Sequence, residues 1–356
     1  MGIYFSRGVI LNNTEPIINA DRLSAEAMYE KKRLFTDCVK LSVLLILYNL
    51  LNRIFSYVFF YGAYFYHSGK FTFSYGKVIS YLRQQREFVS STVFNMTANL
   101  FITLCSFVLI FIVYSLLFRG RIKAYLSPGV KKSAVGLKWF PACFVINILL
   151  TQFMLILTGI LGANGVSVPT SDFSIKQPST AAVIMQLLYV VIIAPFIEEF
   201  IYRGIILSAL APYGQGAAVL FSALAFGLMH GNIPQAASAF ATGLVYAVIA
   251  VKCGSILPTV IIHCLNNLTA NFSTLATAMG ISGYETVLSM VEIFIGLLGF
   301  LVLFTNYKRL YLSKQGCALT SAQSKKTVFT NPAVIIYFIC LIIPIIESLI
   351  AANFSS

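Results

Sequence analysis

Apolar residues in this chain come in long blocks, not in the spaced repeats of amphipathic helices. Nine blocks stand out: residues 39–64, 92–118, 139–161, 181–201, 217–230, 236–251, 256–270, 287–304 and 333–351. About 20 apolar residues are needed to cross a bilayer as a helix. The blocks show no alternation of apolar and polar positions, and backbone in lipid must satisfy its own hydrogen bonds, so helices are expected rather than a barrel. The predicted fold class is all-α: a polytopic membrane helix bundle with eight or nine spans. Asn49, Asn52 and Arg53 interrupt the first block, and the blocks between 217 and 270 leave room only for minimal loops.

Composition sharpens this picture. Hydrophobic residues make up 58% of the 356, and charged residues 10%, against about 25% in soluble domains. That excludes a soluble enzyme, a disordered chain and a nucleic-acid-binding module; the expected partner is membrane lipid. The net charge of +13 then reads as basic loops. With nine spans, seventeen Lys and Arg fall in loops on the side of the N-terminus and five on the other. The asymmetry predicts a multi-pass protein of the cytoplasmic (plasma) membrane with its N-terminus in the cytoplasm. The seven cysteines include no CxxC pair and read as small buried thiols.

Four regions follow. Residues 1–38 form a polar N-terminal cytoplasmic segment. Residues 39–162 carry N-terminal spans around a basic loop at 119–138. A core at 181–270 follows, and 285–356 holds the last spans with a basic linker at 306–331.

Charge inside a span is costly, so the ionisable residues there form a short and informative set. They are Arg53, Glu198, Glu199, Arg203, His230, His263, Glu292 and Glu347. Glu199 and Arg203 are four apart with the acid first, the favoured order for a helical ion pair. That pair leaves Glu198 without a local partner, as a general base requires. Phe226 and His230 share a helix face one turn apart. So do His263 and Asn267, which suit either a polar clamp between helices or donors to an oxyanion, a metal or a water. Glu292 and Glu347 stand alone.

Taken in order, Glu198-Glu199-Phe-Ile-Tyr-Arg203, Phe226-Gly-Leu-Met-His230 and His263-Cys-Leu-Asn-Asn267 resemble the EExxxR, FxxxH and HxxxN motifs of the CPBP family of intramembrane proteases. That family includes the type II CAAX prenyl endopeptidases and the bacteriocin-processing and immunity (Abi) proteins. The resemblance covers about residues 181–270. It implies an intramembrane endopeptidase acting on a membrane-associated or prenylated-type peptide or protein substrate, in which Glu198 and His230 activate a water and His263 and Asn267 stabilise the oxyanion. Glu199 and Arg203, with Phe226, would support them. The favoured reading has no cofactor; the alternative is zinc held by Glu198, His230 and His263, an admissible ligand set. Other readings are a non-catalytic immunity or regulatory scaffold of the same fold and a proton-coupled transporter, although no second half mirrors the first. The shared site also requires Glu198 and His230 at one depth, so the helix carrying Glu198 is expected to continue to Leu210.

Overall fold

A computed structural model describes residues 15–118, 123–126, 130–312 and 317–354. Residues 1–14 of the polar N-terminal segment, 119–122 and 127–129 of the basic loop, and 313–316 of the basic linker lie outside the described residues. Each predicted block is a helix: α1 (Glu15–Ser68), α2 (Thr92–Phe118), α3 (Phe140–Ala163), α4 (Thr180–Tyr213), α5 (Gln215–Leu228), α6 (Ile233–Cys253), α7 (Leu257–Ala278), α8 (Tyr284–Asn306) and α9 (Pro332–Phe354). Among the described residues there is no strand.

Seven of the nine, all but α5 and α7, are long and apolar enough to cross a membrane. The shortfall from the expected eight or nine has two physical causes. Helix α5 has 14 residues, about 21 Å at 1.5 Å per residue, against a hydrocarbon layer of about 30 Å. Helix α7 is long enough, but His263, Asn266, Asn267 and Asn271 dilute its apolar character. Both lie among other helices rather than against lipid alone, with α5 packed on α6 and α7 on α4 and α6.

Hydrogen bonds between loops gather them into two faces. On one, Gln177 donates to the Glu87 carbonyl at 2.7 Å, Asn353 accepts from the Ser167 amide at 2.8 Å, and Asn232 donates to Ser171 at 3.2 Å. On the other, the Ile256 amide donates to the Tyr125 carbonyl at 3.0 Å and the Ala318 amide to Glu30 at 2.8 Å, and Lys252 donates to the Tyr311 carbonyl at 2.7 Å. Successive helices therefore run in alternating directions, the short α5 included. The first face carries the sparse set Lys70, Lys77, Arg83, Arg86 and Lys176; Lys252, Lys308 and Arg309 lie on the second.

One boundary differs from expectation. Helix α1 runs unbroken through residue 38, where the polar segment was expected to end. Leu34, Cys38, Leu41 and Leu44 are wholly buried. They recur every three or four residues, so the core takes up one face of the helix before the continuous apolar block begins.

The site is positioned by the hairpin of α4 and α5. Helix α4 does continue past Glu198, to Tyr213, and the chain reverses at Gly214. Glu198 and His230 each lie sixteen residues from Gly214. The two arms of the hairpin thus carry Glu198 and His230 back to one cavity. The turn is locked from outside: the Ser324 hydroxyl donates to the Tyr213 carbonyl. A β-carbon at Gly214 would lie 2.7 Å from that of Ser324. Gly214→Val is expected to push the turn off Ser324 and lower stability by about 1–3 kcal/mol, as overpacking does, read as a lower melting temperature in detergent. An unchanged transition would show that the Ser324 contact does not set the hairpin.

Candidate active site

The middle of α4 departs from α-helical geometry. Wider π turns at Leu187–Ile193 and Phe200–Ile206 flank a short α-helical stretch, Ala194–Glu199. Such turns are rare and concentrate at functional sites. The first has a clear cause. The Ala194 amide bonds back to Tyr189, so the Val190 carbonyl would next look to residue 195, a proline without an N–H. Asn267 supplies the missing donor, its side-chain amide reaching the Val190 carbonyl at 2.9 Å. This cross-link ties α7 to α4 beside Glu198.

Around Glu199 the charges interlock. Its Oε1 accepts from Arg203 Nη1 at 2.8 Å and from His263 Nδ1 at 3.0 Å. Both partners of the Glu199–Arg203 pair are sealed from solvent, and Arg203 is the largest fully buried side chain among the described residues. Arg203 Nη2 donates to the Gly243 carbonyl of α6 at 3.3 Å. Its guanidinium stacks 4.1 Å from the centre of the Phe226 ring, a cation–π contact. The same ring meets the imidazoles of His230 and His263 edge to face, at 5.2 and 5.6 Å. Phe226 is thus the wedge that spaces the guanidinium from both histidines.

Glu198 is the exception. Its side chain keeps 20% of its exposure, and His263 Nε2 lies 3.7 Å from it. Glu199 engages Nδ1 of that ring, so Nε2 is the nitrogen left for chemistry. His230 Nδ1 donates to the Phe226 carbonyl at 2.8 Å, which leaves its Nε2 free as well. Glu198, His230, His263 and Asn267 all line one cavity of about 420 Å³, walled also by Asn266 and Phe226. Glu199 and Arg203 lie behind this wall. Glu292 and Glu347 line neither this cavity nor its neighbour.

Several residues here were not singled out from the sequence. Tyr246 contacts Arg203 at 5.3 Å and accepts from Asn266 at 2.5 Å. Asn271, one turn beyond Asn267, donates to its carbonyl at 2.9 Å. The spacing of His263, Asn267 and Asn271 marks one face of α7 and was a usable signal; nothing local marks Tyr246. Phe173, from the loop between α3 and α4, also reaches the cavity, and its carbonyl accepts from Gln186 at 3.3 Å. In the same loop, hydrogen bonds from Ser174 and the nearby Lys176 hold the Asp172 carboxyl down at about 2, so this rim stays charged at ordinary pH.

The donors do not assemble into a ready metal set. Among the described residues no three His, Cys, Asp or Glu side chains come together closely enough to hold an ion. Glu198 and His263 supply two donors, and the Nδ1–Glu199 hydrogen bond is of the kind that orients a metal-bound imidazole.

Arg203→Ala should strand the Glu199 carboxylate in a dry site, costing about 3–5 kcal/mol. The expected result is a clear drop in thermal stability in detergent together with loss of any activity. If stability holds and activity alone falls, Arg203 serves a ligand rather than Glu199.

Comparison with known proteins adds one finding. Residues 180–269 match the family model described as Type II CAAX prenyl endopeptidase Rce1-like. The match covers about a quarter of the chain and contains all three motifs. No curated protein and no solved structure matches.

Proposed function

We propose that the chain is an intramembrane endopeptidase that hydrolyses a peptide bond of a membrane-associated substrate with a water activated by Glu198 and His230. One observation carries this reading: a part-exposed carboxylate, with no arginine or lysine paired to it among the described residues, shares a cavity among apolar helices with two imidazoles. A carboxylate is costly to insert in a membrane, and a long 3.7 Å contact with one histidine is a weak structural reason for it. The Rce1-like match over the same residues supports a protease of this family.

In this mechanism Glu198 takes a proton from the water while His230 orients it. The resulting hydroxide attacks the scissile carbonyl, and Glu198 returns the proton to the leaving amine. His263 presents Nε2 toward the developing oxyanion. Glu199 supports that role, because a carboxylate accepting the Nδ1 proton stabilises the charged, donating imidazolium. Asn267 spends one amide N–H on Val190 and keeps a second for the oxyanion. No step is routed through a metal. The cavity's rim residues, Phe173 and Gln235, sit at the face with fewer basic residues. With the N-terminus in the cytoplasm, substrate would reach the site from the outer side of the cytoplasmic membrane.

Glu198→Gln preserves shape but removes the basic oxygen. It should cut turnover at least ~100-fold with folding and membrane insertion intact, measured on a quenched fluorescent peptide. Turnover within a few-fold of wild type would sink the assignment.

The histidines separate the two mechanisms. Without metal, His230→Ala should be near-null and His263→Ala should cost roughly 10²- to 10³-fold, the loss of one oxyanion donor. Purified active protein should then hold well under one metal per chain. Stoichiometric zinc, lost in both variants, would make the protein a metalloprotease instead.

A further inference from the structure

The cavity that holds Glu198 and the two histidines is also lined from α3. Asn147 and Thr151 reach it, one turn apart on one face of that helix, and so does Asn266 of α7. Helix α3 carries none of the three motifs and lies outside the segment matched by the family model.

Hydrogen bonding sets these residues apart. The other amides and hydroxyls on the wall are committed within the protein. Gln235 accepts from Asn232 at 2.6 Å, Thr242 donates to the Ser238 carbonyl at 2.9 Å, and Asn267 and Asn271 donate to main-chain carbonyls. Among the described residues, neither Asn147 nor Thr151 has a side-chain hydrogen bond. Thr97 and Thr305 turn their hydroxyls back on the carbonyl four residues earlier, at 2.7 Å; Thr151 does not. Asn266 is 3% exposed, and its Nδ2 donates to Tyr246, yet its Oδ1 accepts from nothing. An amide left unpaired among apolar helices is costly, and membrane helices answer it with a bond from a neighbour. Here no neighbour does so, and an occupant of the cavity is the remaining partner.

The chemistry of that occupant is restricted. No Lys or Arg is among the described residues that line the cavity, and Glu198 is its one carboxylate. Nothing there draws an anion. A carboxamide donates through one atom and accepts through the next, and the group that matches it on both counts is another amide. A peptide main chain carries an N–H and a C=O on each residue other than proline. Only an extended segment has them to spare, because a helix spends its own internally.

We propose that Asn147 and Asn266 bind the main chain of the substrate, held extended beside Glu198. The proposal rests on the peptidase reading above. Asn266 Oδ1 accepts from one peptide N–H. Asn147 takes a second peptide group, its Oδ1 accepting from the N–H and its Nδ2 donating to a carbonyl. Recognition of this kind reads no side chain. The protein would tolerate varied residues around the cut but require an unwound segment with free N–H groups, and α3 would help to set that requirement.

The test uses the full chain in nanodiscs and a quenched fluorescent peptide that wild type cuts, chosen from a library. The peptide is remade with one N-methyl group at each backbone nitrogen flanking the cut in turn, the scissile one excepted. Wild type should show a KM raised about 3- to 10-fold at two of these positions, the scale of one neutral hydrogen bond. Asn147→Leu should raise KM on the parent peptide by about the same factor with kcat little changed. It should also erase the N-methyl penalty at one of the two positions and keep the other, as coupled groups do. Asn266→Leu should erase the other. Asn147→Leu should melt no lower than wild type, because it removes an unpaired amide from an apolar helix. Binding of the labelled parent peptide to the inactive Glu198→Gln chain should weaken in parallel when Asn147→Leu is added.

N-methyl penalties that are the same in wild type and Asn147→Leu at every position overturn the proposal and leave the peptidase reading intact. A fall in kcat with KM unchanged does the same, since Asn147 would then hold water or an imidazole rather than substrate. So does a lower melting temperature for Asn147→Leu, which would make the amide a structural tie. If wild type cuts no peptide in the library, the peptidase reading fails and this proposal with it.

Discussion

A buried carboxylate has to be answered by its neighbours, and much of this structure answers Glu199. One of its oxygens accepts from Arg203 and from His263 at hydrogen-bond distance. Arg203 continues to the Gly243 carbonyl of α6 and stacks on Phe226 of α5. One charge therefore fixes the relative positions of four helices, α4 to α7. Removing any partner would leave an uncompensated ion away from water, which is why buried pairs are costly to break even where they contribute little net stability. The same constraint orients the chemistry. Because Glu199 holds one nitrogen of His263, the other is turned to Glu198. Glu199 thus governs the neighbouring imidazole more directly than it governs Glu198.

A second demand comes from the backbone. Pro195 and the π turn before it free the Val190 carbonyl, and Asn267 meets it. A residue expected to serve the oxyanion thus also closes a gap in a helix. These duties are compatible, because a carboxamide has two N–H donors. The combination also explains how a strained-looking segment can sit beside Glu198 without exposing backbone to lipid, where an unmet carbonyl is not tolerated. The residues of the three motifs carry structure and chemistry together, and a substitution in them reads out both.

Much of this architecture was legible along the chain. All nine apolar blocks became helices, because lipid leaves few other ways to satisfy the backbone. The alternation of loops between two faces followed from counting blocks. That Glu198 and His230 meet in one cavity goes with the expected continuation of the Glu198 helix to Leu210. What stayed hidden depended on contacts between helices. Tyr246 looks like any aromatic in an apolar block, yet it packs against Arg203 and pairs with Asn266. The extension of α1 through residue 38 was masked by charge, since Glu30, Lys31 and Lys32 share turns with the buried Leu34 and Cys38. Phe173 belongs to a polar loop with no periodicity, so nothing local marked its approach to the cavity.

The two arginines within the helices show how low dielectric sorts charge. Arg203 is paired, stacked and sealed. Arg53 is exposed and borders a cavity lined also by three asparagines and by Glu198. A guanidinium offers only donors, so acceptors alone can satisfy it. It can be stabilised only by an anion or by water, and an apolar bundle supplies little of either unless the cavity is built to admit them. The cavity beside Arg53 also reaches Glu198. That shared lining favours reading the interruption in the first block as part of the cavity's wall rather than as a defect in a span.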